Sequence, residues 1–317
     1  MKKTIKKRAF VSAIAMLIVS AIVLTSSTFA WFSMSKKASV DAMDLTVSSP
    51  EGIQISANAS AWTASLSIDE IFDTDDTTTS RYDAYEGNAN LYPTDLVPAS
   101  SAFLNANTDT GFPNFFKATL DDSGSAKVTK IAETAGNDDN AGIIAFDLFF
   151  KVAGQTKVYF GTSQFNDPAN TDVLTALRVA FIPLGNAAIG TPASDVTGLK
   201  NFAAQSASNV IYEVNTNDRS ADAIANGQGG NKYIATKPLN GTIDSTPTDK
   251  GIITNGAVAG DLKGSFVKST DDGAKSFTLN AGITKMRVYI WVEGQDVDCL
   301  NSIAGAAFNV ALNFTID

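Results

Sequence analysis

Carboxylates are the most numerous groups in this chain able to bind a metal or move a proton. Asp73, Asp75 and Asp76 lie in one stretch, Asp138 and Asp139 in a second, and Glu293, Asp296 and Asp298 in a third. Oxygen-rich loops of this kind hold calcium. None of the three has the spacing or the glycine of an EF-hand loop, and short runs of Asp are ordinary turn chemistry. Glu293, Asp296 and Asp298 form the best calcium candidate of a weak set. Paired carboxylates also serve glycoside hydrolysis, but the separation that chemistry demands is not written in a sequence. Trp62, Tyr82, Tyr85 and Tyr92 could offer aromatic faces to a sugar or simply fill a loop.

The rest of the catalytic repertoire is missing. The chain has no histidine. That removes Ser-His-Asp and Cys-His nucleophile systems, imidazole zinc sites and the HExxH helix. Walker and Rossmann glycine patterns are absent as well. The single cysteine, Cys299, cannot form a disulfide within the chain. It reads as a small buried hydrophobe, with a bond between subunits as the sharper alternative. The expectation is a protein that is not an enzyme and needs no cofactor, calcium being the one cation with any claim.

The elements that would position such residues begin with a leader. Lys2, Lys3, Lys6, Lys7 and Arg8 are followed by an uncharged, mostly apolar run from Ala9 to Leu24, then by Thr25-Ser26-Ser27-Thr28-Phe29-Ala30. A basic start, an apolar middle and small residues at the end mark a secretory signal. Cleavage between Ala30 and Trp31 is expected, which sends the rest of the chain outside the cytoplasm. A retained anchor is the other outcome, since about 20 apolar residues suffice to span a bilayer. The 317 residues carry a net charge of −9, and removing the five positive charges of the leader leaves −14. An acidic exterior argues against nucleic acid and anionic membrane surfaces as partners.

Downstream, the pattern is that of strands. Ala38 to Val47 reads as a strand with a bulge near Ala42. Ser48 to Gly52 reads as a turn, with Ile53 to Ser56 returning as its hairpin partner. Residues 58–140 are rich in turn residues, with an aromatic knot at Phe112, Phe115 and Phe116. They read as a surface excursion or a small subdomain. Ile143 to Val152 is apolar on both faces. Lys157 to Phe160, Ala176 to Ile182 and Val210 to Val214 follow, with a short helix expected at Ala221 to Ala225. Asn226-Gly227, Asn240-Gly241 and Asn255-Gly256 are turn dipeptides. Gly264 to Lys268 and Ser276 to Asn280 read as a hairpin around Asp271-Asp272-Gly273. Met286 to Val292 alternates well. Phe308, Val310, Leu312, Phe314 and Ile316 alternate without fault and should face the core. Roughly ten strands at this spacing predict an all-β sandwich.

Two parts of the chain resemble known families. Ser27-Thr28-Phe29-Ala30-Trp31-Phe32-Ser33 resembles the processing site of TasA/camelysin-type biofilm-matrix fibre proteins of Firmicutes, secreted proteins cut by a dedicated signal peptidase. The hairpin stretch 45–56, the run Leu177 to Ile182, and Val288 to Cys299 with its W-x-E-G-x-D-x-D-C end are similar to an uncharacterised set of secreted clostridial and mollicute proteins. The first resemblance covers the leader and the fold class; the second covers both ends. Together they imply a jelly-roll-like β-sandwich over 38–317, with long loop insertions at 58–140 and a detachable segment at 31–37. In such fibres that segment inserts as a strand into the next subunit, a case of β-augmentation. Trp31, Phe32, Ser33 and Met34 would then form the polymer interface, the partner would be a second copy of this chain, and the product an extracellular homopolymer. The protease activity attributed to camelysin is not implied, because this chain has no HExxH helix. A monomeric carbohydrate-binding or adhesive surface module is the alternative from another class.

Overall fold

The computed structural model describes residues 45–48, 52–72, 96–102, 114–120, 126–131, 142–161, 165, 173–200, 210–214, 253–254, 257–258, 267–268, 276–294, 299 and 308–316. The strands are β1 (Leu45–Ser48), β2 (Ile53–Ser56), β3 (Ser65–Ser67), β4 (Ala99–Ala102), β5 (Asn114–Leu120), β6 (Ala126–Ile131), β7 (Ile144–Val152) and β8 (Thr156–Gly161). They continue with β9 (Leu177–Ala187), β10 (Val210–Glu213), β11 (Ile253–Thr254), β12 (Ala257–Val258), β13 (Val267–Lys268), β14 (Ser276–Leu279), β15 (Gly282–Val292) and β16 (Val310–Ile316). The described helices are short, the longest being Ile68–Phe72 and Ala193–Thr197 at five residues each. The protein is all-β.

Two mainly antiparallel sheets carry most of the strands. One has the order β14-β8-β16-β1-β3 and the other β13-β10-β9-β15-β7-β2. Their facing side chains form one hydrophobic cluster. Val47, Val158, Phe160, Phe277, Leu312 and Phe314 from the first meet Phe146, Phe150, Phe181, Val288 and Ile290 from the second. Phe150 stands edge-on to Phe314 at 5.1 Å, and Phe160 edge-on to Phe181 at 5.1 Å. The expected alternation of the last strand holds. Phe308, Val310, Leu312 and Phe314 are buried, and Ile316 packs against the same cluster. β7 and β15 are buried on both faces because both faces are covered, so neither shows the wet-dry alternation of a half-exposed strand.

Both expected hairpins are corrected. Leu45–Ser48 runs parallel to β16 and antiparallel to β3, whereas Ile53–Ser56 pairs with β7 in the other sheet. Val267–Lys268 pairs with β10, and Ser276–Leu279 with β8, again in different sheets. The excursion at 58–140 holds more than turns: β4, β5 and β6 form their own antiparallel sheet. Ile253–Thr254 and Ala257–Val258 pair across the expected turn dipeptide Asn255-Gly256. The bulge near Ala42 and the helix at Ala221 to Ala225 lie outside the described residues. A register shift does occur opposite Lys285 and Met286, where β9 carries one extra residue beside Pro183.

The two sheets are joined by paired corners. β7 leaves the six-stranded sheet at Val152 and becomes β8 after three residues, while β14 leaves the other sheet at Leu279 and becomes β15 after two. Val152 pairs with Gly282 on one side of the corner, and Thr156 with Leu279 on the other. Gln155 Nε2 donates to Asn280 Oδ1 at 3.1 Å across the bend. Gly282 has φ +121, and a Cβ there would collide with the Ala187 carbonyl oxygen. Only glycine combines that backbone angle with so close an approach.

Candidate functional site

The outer face of the six-stranded sheet carries the most unusual chemistry among the described residues. Along β15, Met286, Val288, Ile290 and Val292 face the main core, so Lys285, Arg287, Tyr289, Trp291 and the following Glu293 share the opposite face. That face is covered at both ends. Val196 and Leu199, in and just after the helix Ala193–Thr197, pack with Phe149 and Ile283 at one end. Phe115 of β5 lies 5.1 Å from Tyr289 and 5.3 Å from Trp291 at the other.

Between these two lids sits a cluster of buried charge. Arg287 stands directly across from Asp147 and grips both of its oxygens. Nε donates to Oδ1, and Nη2 donates to Oδ2 at 3.1 Å. Lys285 Nζ lies 3.2 Å from Asp147 Oδ2 and donates to the Thr197 carbonyl oxygen at 2.6 Å. Burial holds the Lys285 ammonium below its ordinary pKa. Asp147 pulls it back up, by charge and by hydrogen bond, and Arg287 and Lys200 push it down again. Two cations share this carboxylate in a dry place. With its carboxylate gripped by Arg287 and its lysine engaged twice, the arrangement fastens the helix Ala193–Thr197 onto the sheet.

At the other end, Trp291 Nε1 donates to Glu293 Oε2 at 3.1 Å, and the Glu293 backbone N–H donates to the Ala176 carbonyl oxygen at 2.8 Å. Glu293 is buried, so this calcium candidate spends a carboxylate oxygen on an indole; Asp296 and Asp298 lie outside the described residues. Among the described residues no group of three His, Cys, Asp or Glu side chains could hold a metal ion. Gly294 N–H donates to the Ala99 carbonyl oxygen at 2.9 Å, which ties β4 to this corner. Arg178 is buried on the same face, its Nη1 donating to the carbonyl oxygens of Thr175 and Leu177.

Cys299 is buried in the main core. Trp62 is half-buried, with the Lys151 ammonium 4.3 Å from its ring centroid, so a cation already occupies one of its faces. Tyr82, Tyr85 and Tyr92 lie outside the described residues. So do Ala30, Trp31, Phe32, Ser33 and Met34, the expected cleavage and polymer-interface residues. Within the described part the chain is first seen at β1, inside the five-stranded sheet, with Val47 fully buried. No described helix is long and apolar enough to cross a membrane.

The sequence reading missed Asp147, Lys285 and Arg287, although a signal was present. Asp147 interrupts Ile-Ala-Phe-Asp-Leu-Phe-Phe, and Lys-x-Arg interrupts an equally apolar run. Opposite charges set in two strands of that kind point to a buried pair. Compared with protein-family models, curated proteins and solved structures, the chain matches none.

Proposed function

We propose that this chain is an exported structural subunit, without enzymatic activity or cofactor, that polymerises into an extracellular surface or matrix filament. In this reading the two sheets close over their shared cluster as a jelly-roll-like sandwich. A signal peptidase cuts after Ala30. The new N-terminal segment, beginning Trp31-Phe32-Ser33-Met34, then adds as a strand to the next copy. Leaving two aromatic side chains in water is unfavourable at about 25 cal/mol per Å² of apolar surface. Head-to-tail addition removes them from water and propagates, because the two contacting surfaces differ.

The observation that carries the proposal is the placement of β1. The strand that follows the N-terminal segment lies between β16 and β3, with Val47 in the core, so a donated segment would be tied to the body of its own subunit. The test is deletion of Trp31 to Lys37 behind a working signal peptide, read by negative-stain microscopy and by circular dichroism. Folded monomers that no longer polymerise are expected; normal filaments from the truncated chain refute the proposal.

A further inference from the structure

The two large sheets have four outer edges, and three of them are blunted. β13 is two residues long. β2 is capped on its outer side, where Ile55 exchanges both backbone hydrogen bonds with Thr63 at 2.9 Å. β3 is three residues long and runs straight into the helix Ile68–Phe72, its Ser67 N–H held by Glu70 Oε2 at 2.8 Å. Short strands, local caps and covering segments are the ordinary defences against stray strand pairing. The fourth edge, β14, shows none of these among the described residues. Its four residues, Ser-Phe-Thr-Leu, contain neither charge nor proline, and among the described residues they pair with β8 alone. Phe277 and Leu279 are buried and Thr278 is exposed, so the strand presents a clean alternation at an edge with no further partner among the described residues.

We infer that the edge of β14 is the acceptor for the N-terminal strand of a neighbouring copy, with Ser33 beside Thr278 and with Phe32 and Met34 beside Phe277 and Leu279. The inference rests on the filament reading and names the surface that reading leaves unnamed. Three observations select this occupant. In the cleaved chain residues 31–44 lead into β1, which belongs to the same sheet as β14. Trp31-Phe32-Ser33-Met34 matches β14 in length, and its Phe-Ser-Met alternation has the same phase as Phe-Thr-Leu. Either strand direction places Ser33 opposite Thr278. Charge agrees as well. Residues 31–40 hold Lys36 and Lys37 and no acid, against a net −16 for the remainder of the cleaved chain, so this segment is attracted to the body of a second copy.

The test uses the cleaved, secreted chain and two single variants, Ser33→Cys and Thr278→Cys. Directly opposed residues on neighbouring strands have Cα atoms about 4.5–5.5 Å apart, within disulfide reach. The native Cys299 is buried and adds little background. The two variants are mixed, allowed to polymerise and oxidised with copper phenanthroline. A covalent heterodimer in the mixture, with neither variant crosslinking alone, is the expected result. Dimers from Thr278→Cys alone would mean that β14 pairs with itself and overturn the choice of occupant. Filaments that form from the mixture without any crosslink would overturn the acceptor edge while leaving the filament reading intact. An unaltered chain that forms no filaments overturns both.

Discussion

Replacing Asp147 by Asn changes almost no volume and removes one charge. In the native protein that charge faces Arg287 across the β7–β15 ladder and Lys285 along the same face, and Asp147 is wholly inaccessible to water. The variant would keep two buried cations and lose the carboxylate they share. Removing one partner of a buried pair typically costs about 3–5 kcal/mol, because the survivor stays desolvated. That is a large share of the roughly 5–15 kcal/mol that separates folded from unfolded states. At about 2–4 °C per kcal/mol for a chain of this size, the melting temperature should fall by roughly 6–20 °C. Urea titration followed by tryptophan fluorescence is a suitable assay, since Trp291 is fully buried a few residues along the same strand. Adding Lys285→Met to the variant removes the surplus cation and should return part of the loss, a non-additivity expected of side chains in direct contact. The pH dependence gives a second reading. Lys285 has a folded pKa below its ordinary 10.5, so between the two values the unfolded chain binds the extra proton. Wild-type stability should therefore rise as pH climbs toward 10.5, and Lys285→Met should flatten that rise. A loss under about 1 kcal/mol for Asp147→Asn, with no recovery in the double variant, would refute the reasoning.

Gly282→Ala should lower stability by more than about 1 kcal/mol and reduce the secreted yield, because the corner needs a positive φ and has no room for a Cβ beside Ala187. An unchanged urea midpoint would show that the corner relaxes. Tyr212→Phe should stabilise the protein by about 1 kcal/mol: the hydroxyl is buried with no hydrogen-bond partner among the described residues, and burial pushes its pKa well up. A destabilised variant would place an unseen partner on that oxygen. Intact-mass measurement of the secreted protein should give a chain starting at Trp31, and a mass retaining Met1 to Ala30 would replace the cut leader by an anchor.

The strands with strong patterns were legible in the sequence. Phe308 to Ile316, Ile144 to Val152 and Met286 to Val292 are all found as strands or strand flanks with the apolar residues inside. Their partners were not legible, and the reason is geometric. Alternation says which side of a strand faces the core, but two sheets share this core, and either offers an inner face. Ile53–Ser56 and Ser276–Leu279 therefore looked like hairpin arms and proved to belong to the sheet opposite their supposed mates. The buried charge cluster was hidden for a related reason. Asp147, Lys285 and Arg287 interrupt apolar runs, but which of them meet is set by strand pairing and by what covers that face. Those coverings, Phe115 and Val196, come from segments far away in sequence.

The position of β1 has a mechanical consequence. It is bonded along both sides, parallel to β16 and antiparallel to β3, over the same short span. A pull applied from the N-terminal side acts along the strand axis, at a steep angle to the ladder bonds that hold it. The bonds to both neighbours then carry the load together, in shear, and do not open one after another from an end. Val47 adds friction, because sliding β1 by one residue would turn that side chain out of the core. In a filament built as proposed, every link would enter its subunit through this clamp, so tension should break the contact between subunits before it pulls β1 from its sheet.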